Sequence, residues 1–295
     1  MRVGIGLPSG VPGASGPLVL DWARRAEAGP FSSLGVVDRI AYDSFDPLVA
    51  LAVAAGVTAR VRLATTIVIG PLRTDALLAK EAVSLHNLSG GRLTLGLAVG
   101  ARHEDYLAAG VPYATRGRRL AQQLGMLRDA WEDARIGPTP LDGAGPELLV
   151  GGLNDVAFAR VARYADGYVH GGGPPRTFAR AADKARAAWL DAGRPGSPKL
   201  WAQGYFALGE DARAAGEAYM RDYYAFTGPF VERIVAGMLT TPQQVASFLR
   251  GYAEAGCDEM VLFPAVAALS QLDRLAAIVA ALGYAAPLPN AEAAV

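Results

Sequence analysis

One loop of this 295-residue chain concentrates side chains that could do proton chemistry. The run Gly100-Ala101-Arg102-His103-Glu104-Asp105 contains one of only three histidines in the sequence. Because a histidine can gain or lose a proton near pH 7, His103 is a candidate general acid or base. A charged surface loop would have a similar composition, and Arg102 and Glu104 could simply form a local salt bridge. The sequence leaves both interpretations open.

A second candidate pair, Asp38-Arg39, follows a short apolar run at residues 34–37. Arg39 stays protonated near neutral pH, so it cannot exchange a proton. It could instead hold an anionic group of a substrate or a carbonyl of a cofactor, which makes it the second catalytic candidate beside His103. The alternative is an ion pair between Asp38 and Arg39 that only orders the loop.

A glycine turn after another apolar run has the features of a phosphate site. Gly151-Gly152-Leu153 precedes a stretch of helical character that begins after Asn154. Glycines let backbone amides approach a ligand closely, and the amides and dipole of a helix N-terminus attract an anion. His170-Gly171, after the next apolar run, could add amides to this site or could form a plain flexible turn.

Composition excludes several other classes of protein. The 28 basic and 28 acidic residues balance, so no net charge attracts nucleic acid or a membrane surface. Apolar runs are shorter than the roughly 18 residues of a membrane span, and the N-terminal run MRVGIGLP is shorter than a signal peptide. We therefore expect a cytoplasmic enzyme. Cys257 is the single cysteine, and no cluster of ligand residues has the spacing of a metal site.

The elements that must position these residues alternate regularly between strand and helix. Apolar, β-branched runs predict eight strands, at Val3–Leu7, Leu34–Val37, Leu63–Ile69, Leu93–Val99, Glu147–Gly151, Gly167–His170, Leu200–Ala207 and Glu259–Phe263. Helix caps at Asp46-Pro47 and Thr241-Pro242 open two of the intervening helices. Eight such units predict a single α/β domain, a (β/α)₈ barrel over residues 1–284, with a flexible tail at 285–295.

Two segments depart from this alternation. Residues 133–146 are rich in proline and glycine and predict an exposed connection or a mobile flap. About fifty residues separate the seventh and eighth strands, more than one crossover helix requires, so Tyr219–Met238 is predicted to be a helical insertion over the mouth of the barrel. Its run Tyr223-Tyr224-Ala225-Phe226 would either pack the insertion or line a substrate pocket.

Two sequence motifs resemble those of the luciferase-like oxidoreductases, which use a flavin or a deazaflavin. The first is the helix end and turn at residues 85–92, followed by a strand, Glu104-Asp105-Tyr106 and Gly110. The second is Pro146 to Gly152 with Ala165-Asp166-Gly167 downstream. The chain departs from the family pattern at His86, where an aspartate is usual, at Ala98, where glycine or serine is usual, and at Arg39, where a histidine is common.

The resemblance implies reduced FMN as the cofactor, used for monooxygenation or hydride transfer on a small organic substrate, with coenzyme F420 as the alternative. It places the cofactor ring beside Asp38, Gly100, Thr65 and Thr66, where family members often have a non-prolyl cis peptide bond. It places the phosphate at Gly151 and Gly152, with Leu153, His170 and Gly171 as further candidate cofactor-binding residues. A flavin reductase could supply electrons and the chain could form a homodimer. The alternative of another class is a barrel that binds a flavin without catalysis.

Overall fold

The structure, a computed structural model, describes residues 1–133, 135–141 and 143–284. Eight parallel strands close into a barrel in sequence order, with the last strand pairing with the first. The predicted barrel is therefore confirmed, and each predicted strand end lies within one residue of the observed one. The predicted tail at 285–295 lies outside the described residues. The strands are β1 Arg2–Gly6, β2 Ser33–Val36, β3 Arg62–Ile69, β4 Leu93–Ala98, β5 Glu147–Gly151, β6 Gly167–His170, β7 Lys199–Phe206 and β8 Glu259–Pro264.

Helices follow the strands and form the outer layer. They are α1 Gly16–Ala28, α2 Pro47–Ala55, α3 Asp75–Leu88, α4 His103–Ala108, α5 Arg116–Glu132, α6 Asp155–Tyr164, α7 Pro175–Asp191, α8 Glu210–Tyr223, α9 Val231–Ala236, α10 Pro242–Glu254 and α11 Leu269–Ala281. Both predicted caps are present. The Asp46 carboxylate accepts hydrogen bonds from the first amides of α2, and Thr241 and Gln244 form a capping box on α10.

Inside the barrel, a large side chain on β8 packs against glycines on β1 and β2. Phe263 of β8 reaches across to β1 and β2, where a Cβ atom added at Gly6 would lie 2.1 Å from the Phe263 ring. Trp201 of β7 and Val261 of β8 complete this interior cluster. Glycine on β1 therefore makes room for the aromatic side chain that fills the barrel.

The amino end of the barrel is closed by polar side chains that hold the scaffold together. Buried Glu259 accepts a hydrogen bond from Ser33 at 2.6 Å and pairs with Arg2 at 2.9 Å. At the same end, Arg92 of the family-like turn donates to the carbonyl oxygens of Val61 and Thr58. These groups pair with other parts of the protein, and in barrels of this kind the functional residues lie at the opposite, carboxyl end of the strands.

The predicted insertion is present and is longer than expected. It consists of α8, a 3₁₀ segment at Ala225–Phe230 and α9. The chain leaves the barrel after Phe206 and returns at Leu239, which pairs with Phe206 as a one-residue bridge parallel to β7. The Leu239 amide donates to Tyr205 and the Ala207 amide donates to Leu239, both at 2.9 Å. The two ends of the insertion thus lie side by side.

The described residues of the proline- and glycine-rich segment at 133–146 form a mostly exposed connection, one of the two forms predicted, and are fastened to α3. Asn87 donates to the Thr139 carbonyl at 2.8 Å and accepts from the Leu141 amide at 3.1 Å. Lys80 donates to the Gly137 carbonyl at 3.1 Å. Residues 134 and 142 lie outside the described part of the chain.

Candidate active site at the carboxyl end of the barrel

The closed barrel brings five of the predicted positions to one rim. Because all strands are parallel, the residues at or just beyond the ends of β2, β4, β5 and β6 lie at the same end of the barrel, and Thr66, within β3, is level with the end of β2. These residues are Asp38, Thr66, Gly100, Gly151 and His170. The glycine turns and the titratable groups found in the sequence therefore surround a common site.

Two adjacent threonines within β3, Thr65 and Thr66, differ in their hydrogen bonding. The peptide bond between Thr66 and Ile67 is cis, and the pairing with β4 shifts register between Thr65 and Val68. The Thr65 hydroxyl compensates by donating to the Gly96 carbonyl and accepting from the Gly96 amide, both at 2.8 Å. Thr65 is thus part of the strand pairing.

The Thr66 hydroxyl, in contrast, is buried and has no hydrogen-bond partner within the described residues. Thr66 lies two residues after Ala64, which belongs to the interior cluster, so strand alternation places its side chain on the interior face. Several other buried side-chain atoms among the described residues also lack a partner, but Thr66 lies inside the barrel near its carboxyl end, where a ligand atom could accept or donate the missing hydrogen bond.

Gln203 of β7 is a second buried side chain of this kind, and sequence reasoning missed it. Its Nε2 atom donates weakly to the Gly171 carbonyl at 3.4 Å, whereas its Oε1 atom lacks a partner in the part of the chain that the structure describes. Gln203 lies between Trp201 and Tyr205, both of the interior cluster, on the same face of β7. The available signal was a single amide side chain within an otherwise apolar strand.

The turn between β5 and α6 has the geometry expected of an anion site. Gly152 has a φ of +145°, and a Cβ atom there would lie 2.5 Å from that of Ala157. Asn154 caps α6 by accepting from the Ala157 amide at 2.9 Å, and Leu153 is 73% exposed. The amides of Asp155 and Val156 in the first helical turn cannot be satisfied by the helix itself, so they remain available to a ligand.

His170 supports this turn from β6. The Tyr168 hydroxyl donates to the Gly152 carbonyl at 2.9 Å and lies 3.0 Å from Nδ1 of His170. Because that hydroxyl has only one proton, Nδ1 must be the protonated nitrogen of the ring. Burial lowers the pKa of His170 to about 4, so the ring is neutral near pH 7 and contributes no positive charge to an anion. It acts on the turn through Tyr168.

Asp38 and Arg39 are placed at the rim, but they do not pair with each other. Asp38 accepts from the Ile69 amide at 2.9 Å and from Arg73 at 3.2 Å, and burial raises the pKa of Asp38. Arg39 pairs instead with Asp105 at 2.8 Å. The predicted loop-ordering pair is therefore wrong in its partners, because each side chain reaches a different neighbouring loop.

The loop after β4 is also organised differently from the simplest expectation. Glu104 pairs with Arg39 at 2.9 Å, whereas Arg102 donates to the Tyr223 carbonyl at 2.9 Å. The possible salt bridge between Arg102 and Glu104 is thus replaced by contacts with the β2 loop and the insertion. Gly100, at φ +67°, permits the turn that leads into this loop.

His103 is the first residue of α4 and is exposed. Its ring stacks on that of Tyr113, with 3.6 Å between the ring centroids and 24° between the planes. The Arg116 guanidinium lies 3.6 Å from the centroid of the same tyrosine ring. His103 is therefore at the rim and open to solvent, and its role in proton transfer stays a prediction.

The insertion covers the site with aromatic rings. Tyr223 is buried against Tyr219 and Tyr42, while Tyr224 hydrogen-bonds to Tyr205 at 3.1 Å. The rings of Tyr223 and Phe226 lie 4.5 Å and 4.3 Å from the guanidinium of Arg102. Of the two roles open to the 223–226 run, packing is observed for Tyr223. These contacts hold the insertion against the loop after β4.

Among residues 1–133, 135–141 and 143–284, no group of three or more histidine, cysteine, aspartate or glutamate side chains is placed to hold a metal ion. Within the same described ranges, no helix is both long and apolar enough to cross a membrane.

Comparison with known proteins agrees with this geometry. A solved monooxygenase, RslO1 of Streptomyces bottropensis, superposes with a TM-score of 0.77 at 19% identity, covering 95% of this chain and 98% of that one. An F420-dependent secondary alcohol dehydrogenase gives a TM-score of 0.79 at 15% identity, with the same coverage. At these identities the likeness shows the fold alone.

A family model identifies the family, and a sequence relative is also found. An uncharacterised protein of Mycobacterium tuberculosis is 32% identical over 206 residues, which are 58% of this chain and 71% of that protein. The model of the family described as luciferase-like monooxygenases matches residues 1–256. The chain therefore belongs to the luciferase-like monooxygenase family.

Proposed function

We propose that this chain is an oxidoreductase that binds a phosphate-bearing flavin, reduced FMN, at the carboxyl end of the barrel and acts on a small organic substrate. The observation that carries the proposal is the turn from Gly151 to Asn154, held open at the start of α6. A glycine turn with free amides at a helix N-terminus is suited to a phosphate. Membership of the luciferase-like family supports the redox assignment.

The residues at the rim fit such a cofactor. The amides of Gly152 and of the first turn of α6 would hold the phosphate. The unpartnered Thr66 hydroxyl and Gln203 Oε1 would meet polar edges of the ring system inside the barrel. When bound, the flavin supplies hydride transfer or oxygen activation, and the protein supplies position and shielding from water. A barrel that only bound a flavin would use the same two atoms, so it is the match to a family of monooxygenases that favours catalysis.

The other side chains would act on the substrate side. The aromatic rings of the insertion exclude water from the mouth, and the stacking of Arg102 on them holds the insertion closed. His103, exposed at the rim, would exchange protons with solvent. Arg39 has two carboxylate partners, which favours a structural role over binding of an anionic substrate. A separate flavin reductase would supply electrons, and a cytoplasmic location and a homodimer are part of the proposal.

Coenzyme F420 is the second candidate cofactor, favoured by a group of arginines beside α6 that is described below. Like FMN it carries a phosphate, so the same turn would serve both. The deazaflavin transfers hydride and does not activate oxygen. Absorbance and fluorescence titrations of the purified protein with FMN, and separately with F420, distinguish the two candidates.

The phosphate position needs a variant that leaves the fold intact. Gly152→Val is unsuitable because Gly152 has positive φ and a Cβ atom there would strike Ala157. A Cβ atom at Gly171, in contrast, meets nothing within 4 Å in the described chain. Gly171→Asp therefore adds a carboxylate to open space near the turn. Gly16→Asp, at a similarly open position on α1, is the matched control.

We expect Gly171→Asp to weaken FMN binding about tenfold, the size expected for two like charges roughly 6 Å apart at a partly solvated surface. Gly171→Asn should bind nearly normally, which separates charge from bulk. Gly16→Asp should bind like the parent, and all three should melt at the parent temperature. Equal FMN affinity of Gly171→Asp and the parent would refute the placement of the phosphate.

A further inference from the structure

A groove on the outer surface between α5 and α6 is lined by three arginines. Arg118 comes from α5, and Arg160 and Arg163 come from α6; Gly117, Val156 and Tyr164 form parts of its walls. The cavity measures about 280 Å³. We call it the arginine groove. It is large enough for a short chain of polar groups, and it opens to solvent beside the start of α6.

The arginine groove carries positive charge that the described chain does not neutralise. None of its three arginines lies within 4.0 Å of a carboxylate among the residues that the structure describes, although ion pairs are frequent elsewhere on this surface. Arg160 donates from Nη2 to the Gly117 carbonyl at 2.9 Å, while its Nε atom is buried without a partner. Burial lowers the pKa of Arg160, as expected for a cation without an anionic neighbour.

Neighbouring arginines add to this charge. Arg116 and Arg119, in the first turn of α5, donate to the carbonyl oxygens of Tyr113 and Pro71. Neither has a carboxylate partner in the described ranges. A helix N-terminus disfavours cations, so two further arginines here work against the dipole of α5. On a chain whose formal net charge is zero, this concentration favours an anionic ligand.

The arginine groove begins where the proposed phosphate site ends. Val156 is the second residue of α6 and also lines the groove. At a rise of about 1.5 Å per residue, Arg160 and Arg163 lie roughly 6 Å and 10 Å further along the helix axis. The one acidic residue of the first turn, Asp155, pairs with Lys184 of α7, on the other side of α6.

We propose that the arginine groove binds an anionic extension of the cofactor beyond its phosphate, a short chain of carboxylates such as the oligoglutamate tail of coenzyme F420. This inference rests on the proposed function, because it takes the phosphate to lie at the start of α6. FMN ends at its phosphate and would leave the groove unused. Two or three extended residues span the 10 Å along α6, so the tail's carboxylates can reach all three arginines.

The test compares ligands that differ only in the tail. The dissociation constants of the protein for oligoglutamyl F420, for the same deazaflavin ending at its phospholactyl group, and for FMN are measured by fluorescence at low and moderate salt. The variant is Arg118→Glu/Arg163→Glu, since both side chains are exposed and the fold should tolerate the change. The control is Arg250→Glu on α10, an exposed arginine that has no recorded partner among the described residues.

We expect the tail to tighten binding to the parent protein about tenfold, with the advantage reduced by added salt. The double variant should lose this advantage, and any loss of affinity from the added negative charge near the phosphate should be equal for FMN and the tailless deazaflavin. Arg250→Glu should retain the advantage. Equal binding of the tailed and tailless ligands by the parent, or an advantage that survives in the double variant, would overturn the proposal.

Failure of the proposed function would look different. If the parent binds neither FMN nor either deazaflavin, the phosphate site is wrong, and the arginine groove is then tested with tri-γ-glutamate alone by calorimetry at low salt. Binding by the parent that is lost in the double variant would still assign the groove to a polycarboxylate. If the parent does not bind tri-γ-glutamate, the proposal that the arginine groove binds a polycarboxylate is overturned.

Discussion

The contact between the loops after β2 and β4 should be one of the strongest single contributions to stability at the rim. Asp105 is fully buried and accepts three hydrogen bonds, from Arg39 Nε at 2.8 Å and from the amides of Ile40 at 2.9 Å and Ala41 at 2.8 Å. The Arg39 side chain is only 4% exposed. Removal of the carboxylate would leave a buried cation and two backbone amides without their main acceptor.

Breaking a buried ion pair from one side costs about 3–5 kcal/mol, and each amide that loses its acceptor adds about 1–3 kcal/mol where water cannot replace it. Because Glu104 still faces Arg39 and the loop can relax, we expect about 4 kcal/mol for Asp105→Ala. Asp105→Asn keeps an oxygen for the two amides, so it should cost about 2–3 kcal/mol. The difference between the two variants measures the backbone bonds.

Urea unfolding followed by circular dichroism gives these values, and the melting temperature of Asp105→Ala should fall by roughly 10 °C. The control is Asp21→Ala, which breaks the exposed pair with Arg24 and should cause no measurable loss. A loss below about 1 kcal/mol for Asp105→Ala would show that water enters this contact, and the structural role given to Arg39 would then be wrong.

Three further predictions concern single side chains. Thr66→Val should leave the unfolding free energy within about 0.5 kcal/mol of the parent and weaken FMN binding about fivefold. Thr65→Val should instead lower the unfolding free energy by about 1–3 kcal/mol, because the Thr65 hydroxyl completes the strand pairing. Urea denaturation and FMN titration measure both effects, and the reverse pattern would contradict the assignment. The pKa of His170 is about 4 in the folded chain and about 6.5 in the unfolded chain. Between these two values the unfolded state binds more protons than the folded state. The unfolding free energy should therefore fall by up to ~1.4 kcal/mol per pH unit as the pH drops from 6.5 towards 4. His170→Gln should flatten this slope in urea unfolding at pH 4.5–7.5, and parallel slopes would count against it. His103→Ala should lower turnover at least tenfold with cofactor affinity unchanged, and steady-state rates within twofold of the parent would make His103 a loop residue only.

The fold could be predicted because its signals are local. The Thr241 cap with Gln244 three residues later marks the start of α10 without knowledge of the rest of the chain. The same holds for the apolar β-branched runs that became strands, and for the glycine turn before α6. Where the elements alternate eight times, the closed parallel barrel follows from topology rules that hold for nearly all such chains.

The partners of the charged residues could not be predicted, because they are set by distant parts of the chain. Arg39 meets Asp105 across 66 residues of sequence, and Asp38 meets Arg73 across 35. From sequence, the nearest charge is the default partner, and at both positions that expectation was wrong. Gln203 could not be predicted for the same reason. Whether its Oε1 atom has a hydrogen-bond partner depends on the residues packed around it, and these are known only from the structure.

The motif that most clearly carries the family resemblance performs no chemistry in the structure. The turn at 89–92 has two glycines with positive φ, and Arg92 ties this turn to the connection at residues 58–61 at the amino end of the barrel. The candidate site is at the opposite end. Similarity in this motif is therefore strong evidence for the barrel fold and weak evidence for the reaction. The assignment of the cofactor depends instead on the residues at the carboxyl end of the barrel.

The side-by-side ends of the insertion have a consequence for how this scaffold can diversify. Since the chain departs after Phe206 and rejoins the barrel at Leu239, the excursion from 210 to 238 can lengthen, shorten or be exchanged without altering the register of any strand. It is attached through buried side chains such as Tyr219, Met220 and Met238, which pack in the interior cluster, and through the hydrogen bonds of Arg102 and Tyr42. Recombination at these two neighbouring points would exchange the whole insertion over the barrel mouth in one step. The substrate range could therefore change while the barrel stays the same.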